Sequence, residues 1–348
     1  MNTGASEGAQ RLLRPLRDAL ADAGACLDRT ALALSGGPDS AMLAVSLAQL
    51  AHEQGKKPHL LHIHHGLQAP ADAWRTRVHQ LGLILGLPCH SRRVRVDRDS
   101  GKGLEAAART ARYAALDAMM AALGLDHLLL AHHSGDQAET VLLRLLRGSG
   151  PTGLAAMAPV SARNGIVCLR PWLDVDRLDI LQALQRFQMD SGWLAVHDPS
   201  NTQHDYTRSA VRERLAPALD ERWPGWQRIL GRHARLAAQT ASLLEEMASA
   251  DLEQLAPDAG DGSFSLAAWR QLSPARQAQV LRYWLARQGQ RAPTQARLDE
   301  LMRQLRRLHA LGHDRAMRLR HDRVWIVCRR GRVLLETAQT PPHPQSEK

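Results

Sequence analysis

A short polar loop constrains this chain more than any other feature of its sequence. The residues SGGPDS, numbers 35–40, follow the apolar run Ala31–Leu34 and precede a segment with helical periodicity. Gly36 and Gly37 carry no β-carbon, so backbone N–H groups in this loop can point inward at phosphate oxygens. Pro38 suits the first turn of a helix, whose positive dipole end would then lie at the same place. The pattern predicts a phosphate-binding loop and a nucleotide ligand such as ATP.

The acidic residue of this loop narrows the chemistry. Asp39 would repel a phosphate unless a cation lay between them, so its presence predicts Mg²⁺ bound together with ATP. The loop lacks the sequence Gly-Lys-Ser/Thr and is therefore not a Walker A loop. A glycine turn between a strand and a helix is often only structural, and for the loop taken alone that interpretation stays open.

Apolar runs and helical patterns alternate up to about Arg170. Strands are predicted at Ala31–Leu34, His59–His64, His90–Val96, His127–Ala131 and Ile166–Leu169, and helices at Asp39–Glu53, Ala71–Leu85, Leu104–Leu123 and Gln137–Arg147. This alternation implies right-handed crossovers and an α/β fold with a doubly wound parallel sheet. The polar clusters Ser35–Ser40, His64–Gly66 and His132–Asp136 each follow a predicted strand. Ligands of such sheets bind at that edge, so we expect a single site there.

The pattern changes after Arg170. Helices are predicted at Arg177–Gln188, almost throughout Arg208–Leu255, at Pro274–Arg287 and at Thr294–Leu308, with turns at Asp198–Asn201 and Asp258–Gly262 and short strands at Met317–Leu319, Val324–Cys328 and Val333–Leu335. The second part is therefore predicted to be a mainly helical C-terminal α+β domain. Residues 1–10 lack apolar periodicity and residues 341–348 are polar and proline-rich, so both ends are predicted to be loose.

Charge is unevenly distributed along the chain. The net charge is +10, yet residues through Arg208 hold 22 basic and 20 acidic side chains, which leaves 23 basic and 15 acidic ones beyond it. Eleven arginines lie within Arg297–Arg332. We expect the C-terminal part to attract a polyanion, although arginines on solvated helix faces would produce the same excess.

Cysteine usage and hydropathy exclude other classes of protein. The four cysteines are scattered, so neither a disulfide framework nor a thiolate zinc site is indicated. Neither a secretory signal nor an apolar run of membrane-spanning length is found. The expectation is a cytoplasmic protein without a membrane partner.

Several segments carry a resemblance to a known family. The loop SGGPDS after an apolar strand resembles the PP-loop ATP pyrophosphatases, which have the adenine nucleotide alpha hydrolase-like fold. Within that superfamily the chain resembles the tRNA(Ile)-lysidine synthases. The similar segments, in the family's order, are HIHHGLQ (62–68), ADAW (71–74), GLEAAARTARY (103–113), LLLAHHSGDQAETVLLRLLRGSG (128–150), DPSN (198–201) with YTR (206–208), and more weakly Ser265–Leu335.

The resemblance implies an activity. Members of this family use ATP to adenylate the first anticodon cytidine of an isoleucine tRNA with the anticodon CAU. Free L-lysine then displaces AMP at C2 through its side-chain amine, which gives lysidine, AMP and pyrophosphate. The implied partners are this tRNA and lysine, the implied cofactors are ATP and Mg²⁺, and a homodimer is a further expectation.

The resemblance also assigns candidate site residues. ATP would be held by Ser35, Gly36, Gly37, Pro38, Asp39 and Ser40, with Asp39 also binding Mg²⁺. The candidate catalytic residues are Asp39, Asp136, Arg112 and His133. Lysine or tRNA would be bound by Asp136, Glu139, Arg147, Arg208 and Arg212.

The residue types support some of these roles on their own. Asp136 and Glu139 lie three apart at a helix start, so they share a face and would suit a metal or the lysine ammonium. Lysine has a free pKa of about 10.4 and must lose a proton to attack, for which His132 and His133 are candidates. Carboxylates that only favour a helix N-terminus remain the alternative.

The histidine pairs and the helical arginines have more than one interpretation. His64-His65 and His132-His133 would suit zinc, but no cysteine or H-E-x-x-H pattern accompanies them. Arg109 and Arg112 share one helix face, and Arg144 and Arg147 repeat that spacing on the next helix. Their guanidinium groups would suit phosphates of ATP or tRNA, or else form an ordinary charged surface.

Two departures from the family pattern keep other functions open. Gly135 stands where the family usually has the first of two aspartates, and Ser209 stands where it commonly has asparagine. A catalytically weakened tRNA-binding homologue is therefore one alternative. Another PP-loop reaction, sulfur insertion into tRNA, is a second, although the cysteines lack the pairing that such enzymes usually show.

The predicted domain organisation has four parts. They are an N-terminal extension or helix at 1–25, the PP-loop ATP-binding catalytic domain at 26–215, a helical linker with the tRNA-binding domain at 216–336, and a disordered tail at 337–348.

Overall fold

The computed structural model of the chain describes residues 3–66, 70–97, 103–197, 207–308 and 317–337. The chain divides into two compact units, Met1–Ala238 and Gln239–Lys348. Residues 216–238, which the sequence assigns to the second domain, thus belong to the first unit. The predicted turn at Asp198–Asn201 lies outside the described residues, as does the predicted tail beyond Thr337.

The first unit is built on a six-stranded sheet. Its strands are β1 Thr30–Ala33, β2 His59–His64, β3 Cys89–Arg93, β4 His127–Leu129, β5 Val160–Arg163 and β6 Ile166–Leu169. They lie in the order β3-β2-β1-β4-β6-β5. All neighbouring pairs are parallel except β5 and β6, which are antiparallel. The predicted parallel α/β sheet is confirmed.

Helices lie between and around these strands. They are α1 Thr3–Asp22, α2 Pro38–Gln54, α3 Ala71–Leu85, α4 Leu104–Leu123, α5 Ser134–Leu146, α6 Pro151–Leu154, α7 Arg177–Ser191, α8 Thr207–Ala210 and α9 Ala216–Arg222. A single turn of π-helix, Val211–Leu215, joins α8 to α9. The helix α10, Trp226–Gln254, contains the division between the two units.

Alternating residues of the central strands face two separate cores. Leu32 and Leu60 pack with apolar residues of α1, α2 and α7, whereas Ala31 and Leu61 pack with those of α4. Side chains alternate along a strand, so a sheet with both sets buried is covered on both faces. This arrangement confirms the doubly wound fold.

The structure differs from the sequence-based expectation at two places in the first unit. Residues 1–10 are not loose as a whole, because α1 begins at Thr3. Strand β5 was missed: its sequence VSAR is polar and partly exposed, and it joins β6 through Asn164 and Gly165, both with positive φ. The segment Arg208–Leu255 is almost wholly helical as predicted, with a π-helical turn at Val211–Leu215 and a break at residues 223–225.

The second unit is an α+β structure with its own core. A four-stranded antiparallel sheet has the order β7-β10-β9-β8, formed by β7 Phe264–Ser265, β8 Met317–His321, β9 Val324–Arg329 and β10 Arg332–Thr337. Its further helices are α11 Leu266–Gln271, α12 Pro274–Arg287 and α13 Gln295–Arg307. Phe264, Trp269 and Trp284 are fully buried within this core. Across the described parts of both units, no helix is long and apolar enough to cross a membrane.

Candidate active site

The phosphate loop between β1 and α2 is held together by its two serines. Ser35 and Ser40 hydroxyls lie 2.9 Å apart, and the Ser40 hydroxyl also accepts the Ser35 N–H at 3.2 Å and donates to the Gly37 carbonyl at 3.1 Å. The Ser35 hydroxyl accepts the Gly37 N–H at 3.3 Å. Pro38 begins α2, where a missing N–H costs nothing. The loop is therefore shaped before any ligand binds, with the helix N-terminus facing it.

Gly36 has no room for a side chain. Its φ is +88°, and an added β-carbon would lie 2.9 Å from both Val78 Cγ2 and Val196 Cγ2. Its carbonyl oxygen accepts the backbone N–H of Val196 at 2.9 Å. The glycine is thus needed for the path of the backbone and for the close approach of Val78 and Val196.

Replacing Gly36 by alanine is expected to lower the free energy of unfolding by about 2–4 kcal/mol, because left-handed strain and overpacking add. Urea denaturation measures this loss. Gly124→Ala is the matched control, since Gly124 has φ +66° but open space around its β-carbon position. Equal losses for the two variants would contradict the packing argument.

Asp39, the acidic residue of the loop, faces the side chains of Arg177 and His133. Its Oδ1 lies 3.5 Å from Arg177 Nε and 3.9 Å from His133 Nε2, and its side chain is 24% exposed. The sequence did not single out Arg177, which is 138 residues away. A half-shielded carboxylate beside a phosphate loop fits a hard cation such as Mg²⁺, which one or two carboxylates and the substrate phosphates bind.

His133 caps the helix α5. Its ring Nδ1 accepts the backbone N–H groups of Gly135 at 3.1 Å and Asp136 at 3.4 Å. The backbone N–H of His133 in turn donates to Asp136 Oδ2 at 3.2 Å. Because Nδ1 accepts, the ring proton is placed on Nε2, which faces the carboxylates of Asp39 and Asp136. Nδ1 of His133 is therefore occupied at the helix end, while Nε2 lies 3.9 Å from Asp39 Oδ1 and 3.4 Å from Asp136 Oδ2.

Gly135, one of the two departures, fits this cap. An added β-carbon there would lie 2.9 Å from His133 Cε1 and 3.1 Å from its Nδ1. The absence of a side chain at this position lets the imidazole fold back onto the helix end. It also explains why α5 begins at Ser134, three residues before the predicted start.

Asp136 and Glu139 are buried and ion-paired. Arg212 donates from Nη2 to Asp136 Oδ1 at 2.9 Å and from Nε to Glu139 Oε1 at 2.5 Å. Arg208 donates from Nε to Glu139 Oε2 at 3.1 Å and from Nη2 to the Thr140 hydroxyl at 3.0 Å. The structure thus joins four of the five predicted substrate-binding residues in one network.

The ionisation of this network follows from burial and neighbouring charge. Burial alone would raise the pKa of Asp136, but His133, His132, Arg208 and Arg212 outweigh it and hold that pKa below its usual value. Burial lowers the pKa of His132 to about 4, against the opposing charge of Asp136. At neutral pH the site therefore combines a charged carboxylate at Asp136 with a neutral imidazole at His132.

Arg112 lies close enough to Arg208 of this network to feel its charge, and it has no acidic partner among the described residues. Burial lowers its pKa, and the charges of Arg109 and Arg208 act in the same direction. Its guanidinium stacks over the Tyr113 ring at 5.3 Å, as do those of Arg109 and Arg163. A half-buried cation with neighbouring cations favours an anionic ligand. Tyr113, which holds these groups, was missed from the sequence.

Other candidates are placed away from this network. Arg147 is exposed at the C-terminal end of α5, a helix about 20 Å long, so it does not lie beside Asp136. Arg144 donates to the carbonyls of Gly153 and Ala156 and holds the following turn. His64 Nε2 lies 3.1 Å from Asp72 Oδ1. In the described parts of the chain, no three His, Cys, Asp or Glu residues are grouped as metal ligands, so the zinc interpretation has no site there.

Many arginines of the second unit make internal contacts. Within Arg297–Arg332, the arginines that contact other groups of this unit include Arg297 (carbonyl of Arg320), Arg303 (Glu300), Arg306 (Gln277), Arg318 and Arg329 (Glu336), and Arg332 (Ser263). Arg307, Arg320, Arg323 and Arg330 are exposed. The charge excess is therefore partly structural, and its attraction for a polyanion stays a prediction.

Comparison with known proteins agrees with this geometry. A PP-loop domain model matches residues 8–219, and a TilS substrate binding domain model matches residues 264–334. A tRNA(Ile)-lysidine synthase of Bordetella bronchiseptica is 55% identical over 93% of this chain and 94% of its own length. One of Ralstonia nicotianae is 44% identical over 89% of this chain and 65% of its own.

A solved structure shares the fold. The U34-tRNA thiolase NcsA of Methanococcus maripaludis has a TM-score of 0.53 and 16% identity, over 67% of this chain and 78% of its own. That likeness concerns the fold alone. The two domain matches and the high identity over nearly the whole length of the Bordetella relative are more specific. This chain belongs to the tRNA(Ile)-lysidine synthase family.

Proposed function

We propose that this enzyme joins the side-chain amine of L-lysine to C2 of the first anticodon cytidine in an isoleucine tRNA with the anticodon CAU. The reaction consumes ATP and runs through an adenylated cytidine. One observation carries the proposal: in a chain of this family, Asp39 of the phosphate loop lies 3.9 Å from His133, which lies 3.4 Å from the buried Asp136, and Arg212 joins Asp136 to the buried Glu139.

The first step is transfer of AMP to the base. Oxygen O2 of the cytidine attacks the α-phosphorus of ATP, and pyrophosphate leaves with the electrons of the broken bond. The loop residues Ser35–Ser40 would hold the phosphates with backbone N–H groups at the start of α2. Arg112, a half-buried guanidinium without an acidic partner in the described chain, would stabilise charge on the transferring group.

Asp39 would hold the magnesium ion that this step requires. Its carboxylate is 24% exposed and stands next to the loop, so it would hold Mg²⁺ together with phosphate oxygens. A bound Mg²⁺ would neutralise charge on the phosphates. Arg177 and His133 both face Oδ1 of Asp39 and would keep the carboxylate oriented.

The second step is attack by lysine. The neutral side-chain amine attacks C2, the C2–O2 bond breaks, AMP leaves with O2, and the nitrogen now bound to C2 releases a proton to water. Asp136 and Glu139 would bind the lysine ammonium, which must first lose a separate proton to water to become that neutral amine. His132 has a pKa of about 4, so it is a weak acceptor for that proton.

Incorporation of labelled lysine tests the whole proposal. With ATP and Mg²⁺, label is expected in CAU-anticodon isoleucine tRNA, with AMP released only when tRNA and lysine are both present. Methionine tRNA carries the same anticodon and is the matched control. Equal label in methionine tRNA, or label in no tRNA, would refute the proposed substrate.

Sulfur transfer has no comparable support. All four cysteines are unpaired thiols, and burial raises the pKa of Cys89 to about 11. Persulfide chemistry needs a thiolate, which burial disfavours at Cys89, Cys168 and Cys328, while Cys26 is exposed. A cytoplasmic location, a homodimer and the four-part domain division remain proposals, of which sedimentation would test the homodimer.

A further inference from the structure

Arg212 occupies the space between two carboxylates that the proposed function needs. Its Nη2 lies 2.9 Å from Asp136 Oδ1, and its Nε lies 2.5 Å from Glu139 Oε1. Both carboxylate residues are buried. The guanidinium therefore fills the position in which an ammonium group would contact both of these oxygens.

The charge of the network is already balanced. Glu139 Oε2 accepts from Arg208, so two carboxylates face two guanidinium groups. A third cation beside them would leave a net positive charge in a largely buried site, which is unfavourable. A lysine ammonium thus binds well only if one guanidinium moves away.

The contacts indicate which guanidinium moves. Arg208 has a second anchor, the Thr140 hydroxyl at 3.0 Å, and its side chain is 30% exposed. Arg212 also has two anchors, but of the two guanidinium groups it alone bridges both carboxylates, so an ammonium that contacts both must take its place; its side chain is 38% exposed. It also lies on the π-helical turn Val211–Leu215, a local irregularity frequent at functional sites.

We propose that Arg212 is an internal competitor of lysine: it occupies the ammonium subsite between Asp136 and Glu139, and lysine must displace it to bind. This inference rests on the proposed function, because it takes the two carboxylates as the lysine site. Arg212 then sets the affinity for lysine. It also keeps the buried carboxylates neutralised until the amino acid arrives.

The affinity of the full enzyme for lysine is tested with Arg212→Ala, Arg212→Gln and Arg212→Lys. If Arg212 is displaced in only about a tenth of molecules, its removal lowers KM for lysine about tenfold. Arg212→Lys retains a cation and is expected to lie between the alanine variant and the unchanged enzyme. Equilibrium binding of lysine should show the same order, which a merely structural role would not produce.

Guanidinium chloride at low millimolar concentration provides a second readout. In Arg212→Ala it is expected to compete with lysine, because the guanidinium ion can bind between Asp136 and Glu139 where the arginine side chain was. Sodium chloride at equal concentration is not expected to compete. Arg212→Gln keeps a donor near Asp136 and gives the same test if the alanine variant does not fold.

Two failures are distinguishable. A KM for lysine that rises or stays constant in the Arg212 variants overturns the competitor role while lysine incorporation by the unchanged enzyme persists. Absence of lysine incorporation by the unchanged enzyme instead overturns the proposed function itself.

Discussion

Replacing Asp39 by asparagine is expected to reduce tRNA-dependent pyrophosphate release by about 10²–10³-fold, the usual loss when one charge-stabilising group is removed from a site. Asparagine keeps the size of the side chain but cannot bind Mg²⁺ as a charged ligand. It also leaves Arg177, 3.5 Å from Oδ1, without a negative partner. The measurement is the initial rate at saturating ATP over a range of Mg²⁺ concentrations.

Asp179→Asn is the matched control for this change. Asp179 also lies in the first turn of a helix, is 29% exposed and faces an arginine, Arg11, at 3.5 Å. Its replacement should leave pyrophosphate release unchanged within a factor of about two, since surface ion pairs contribute little. An Asp39→Asn enzyme with the rate and Mg²⁺ dependence of the control would refute the metal role of Asp39.

Elements with strong local signals could be predicted from the sequence. Both α3 and α4 begin and end where predicted, because Gly86 and Gly124 take the left-handed conformation that ends each helix. β2 is also found at its predicted bounds. By contrast, β5 carries no apolar run and is formed through its pairing with β6, which only the folded chain provides.

The residues of the candidate site also fall into a group that could be predicted from the sequence and a group that could not. The phosphate loop could be predicted because its glycines, Pro38 and Asp39 are consecutive. The partners of Glu139 could not, since Arg208 and Arg212 lie 69 and 73 residues away. Their positive charge suggested contact with tRNA or the cleft, whereas the folded chain directs them to the two carboxylates. The imidazole cap of His133 was equally unpredictable, since histidine is not among the usual N-cap residues.

Replacing Glu139 by glutamine is expected to lower the free energy of unfolding by about 2–4 kcal/mol. Removing one partner of a fully buried ion pair costs about 3–5 kcal/mol, and the partial exposure of Arg208 and Arg212 reduces this. The side chain of glutamine has the same shape, so the loss reports charge and not packing. Chemical denaturation measures it, with lysine incorporation followed in parallel.

Glu53→Gln is the surface control for this variant. Glu53 pairs with Arg17 at 3.2 Å, but both side chains are about half exposed, so less than about 1 kcal/mol is expected. The double variant Glu139→Gln with Arg212→Gln should lose less stability than the sum of the two single losses, because the Glu139–Arg212 contact is counted in both of them. Strict additivity would mean that the two residues do not form a pair in solution.

The kinetic effects of Glu139 and Arg212 should have opposite signs. If Glu139 binds the lysine ammonium, Glu139→Gln raises KM for lysine, by about tenfold or more for a charge-assisted bond of about 1.5–3 kcal/mol. If Arg212 competes for the same oxygens, its removal lowers that KM although it also breaks the pair. If both variants lose stability but KM for lysine rises in Glu139→Gln and falls when Arg212 is removed, then Glu139 binds lysine and Arg212 competes with it. A common rise in KM would instead assign both residues to holding the site in shape.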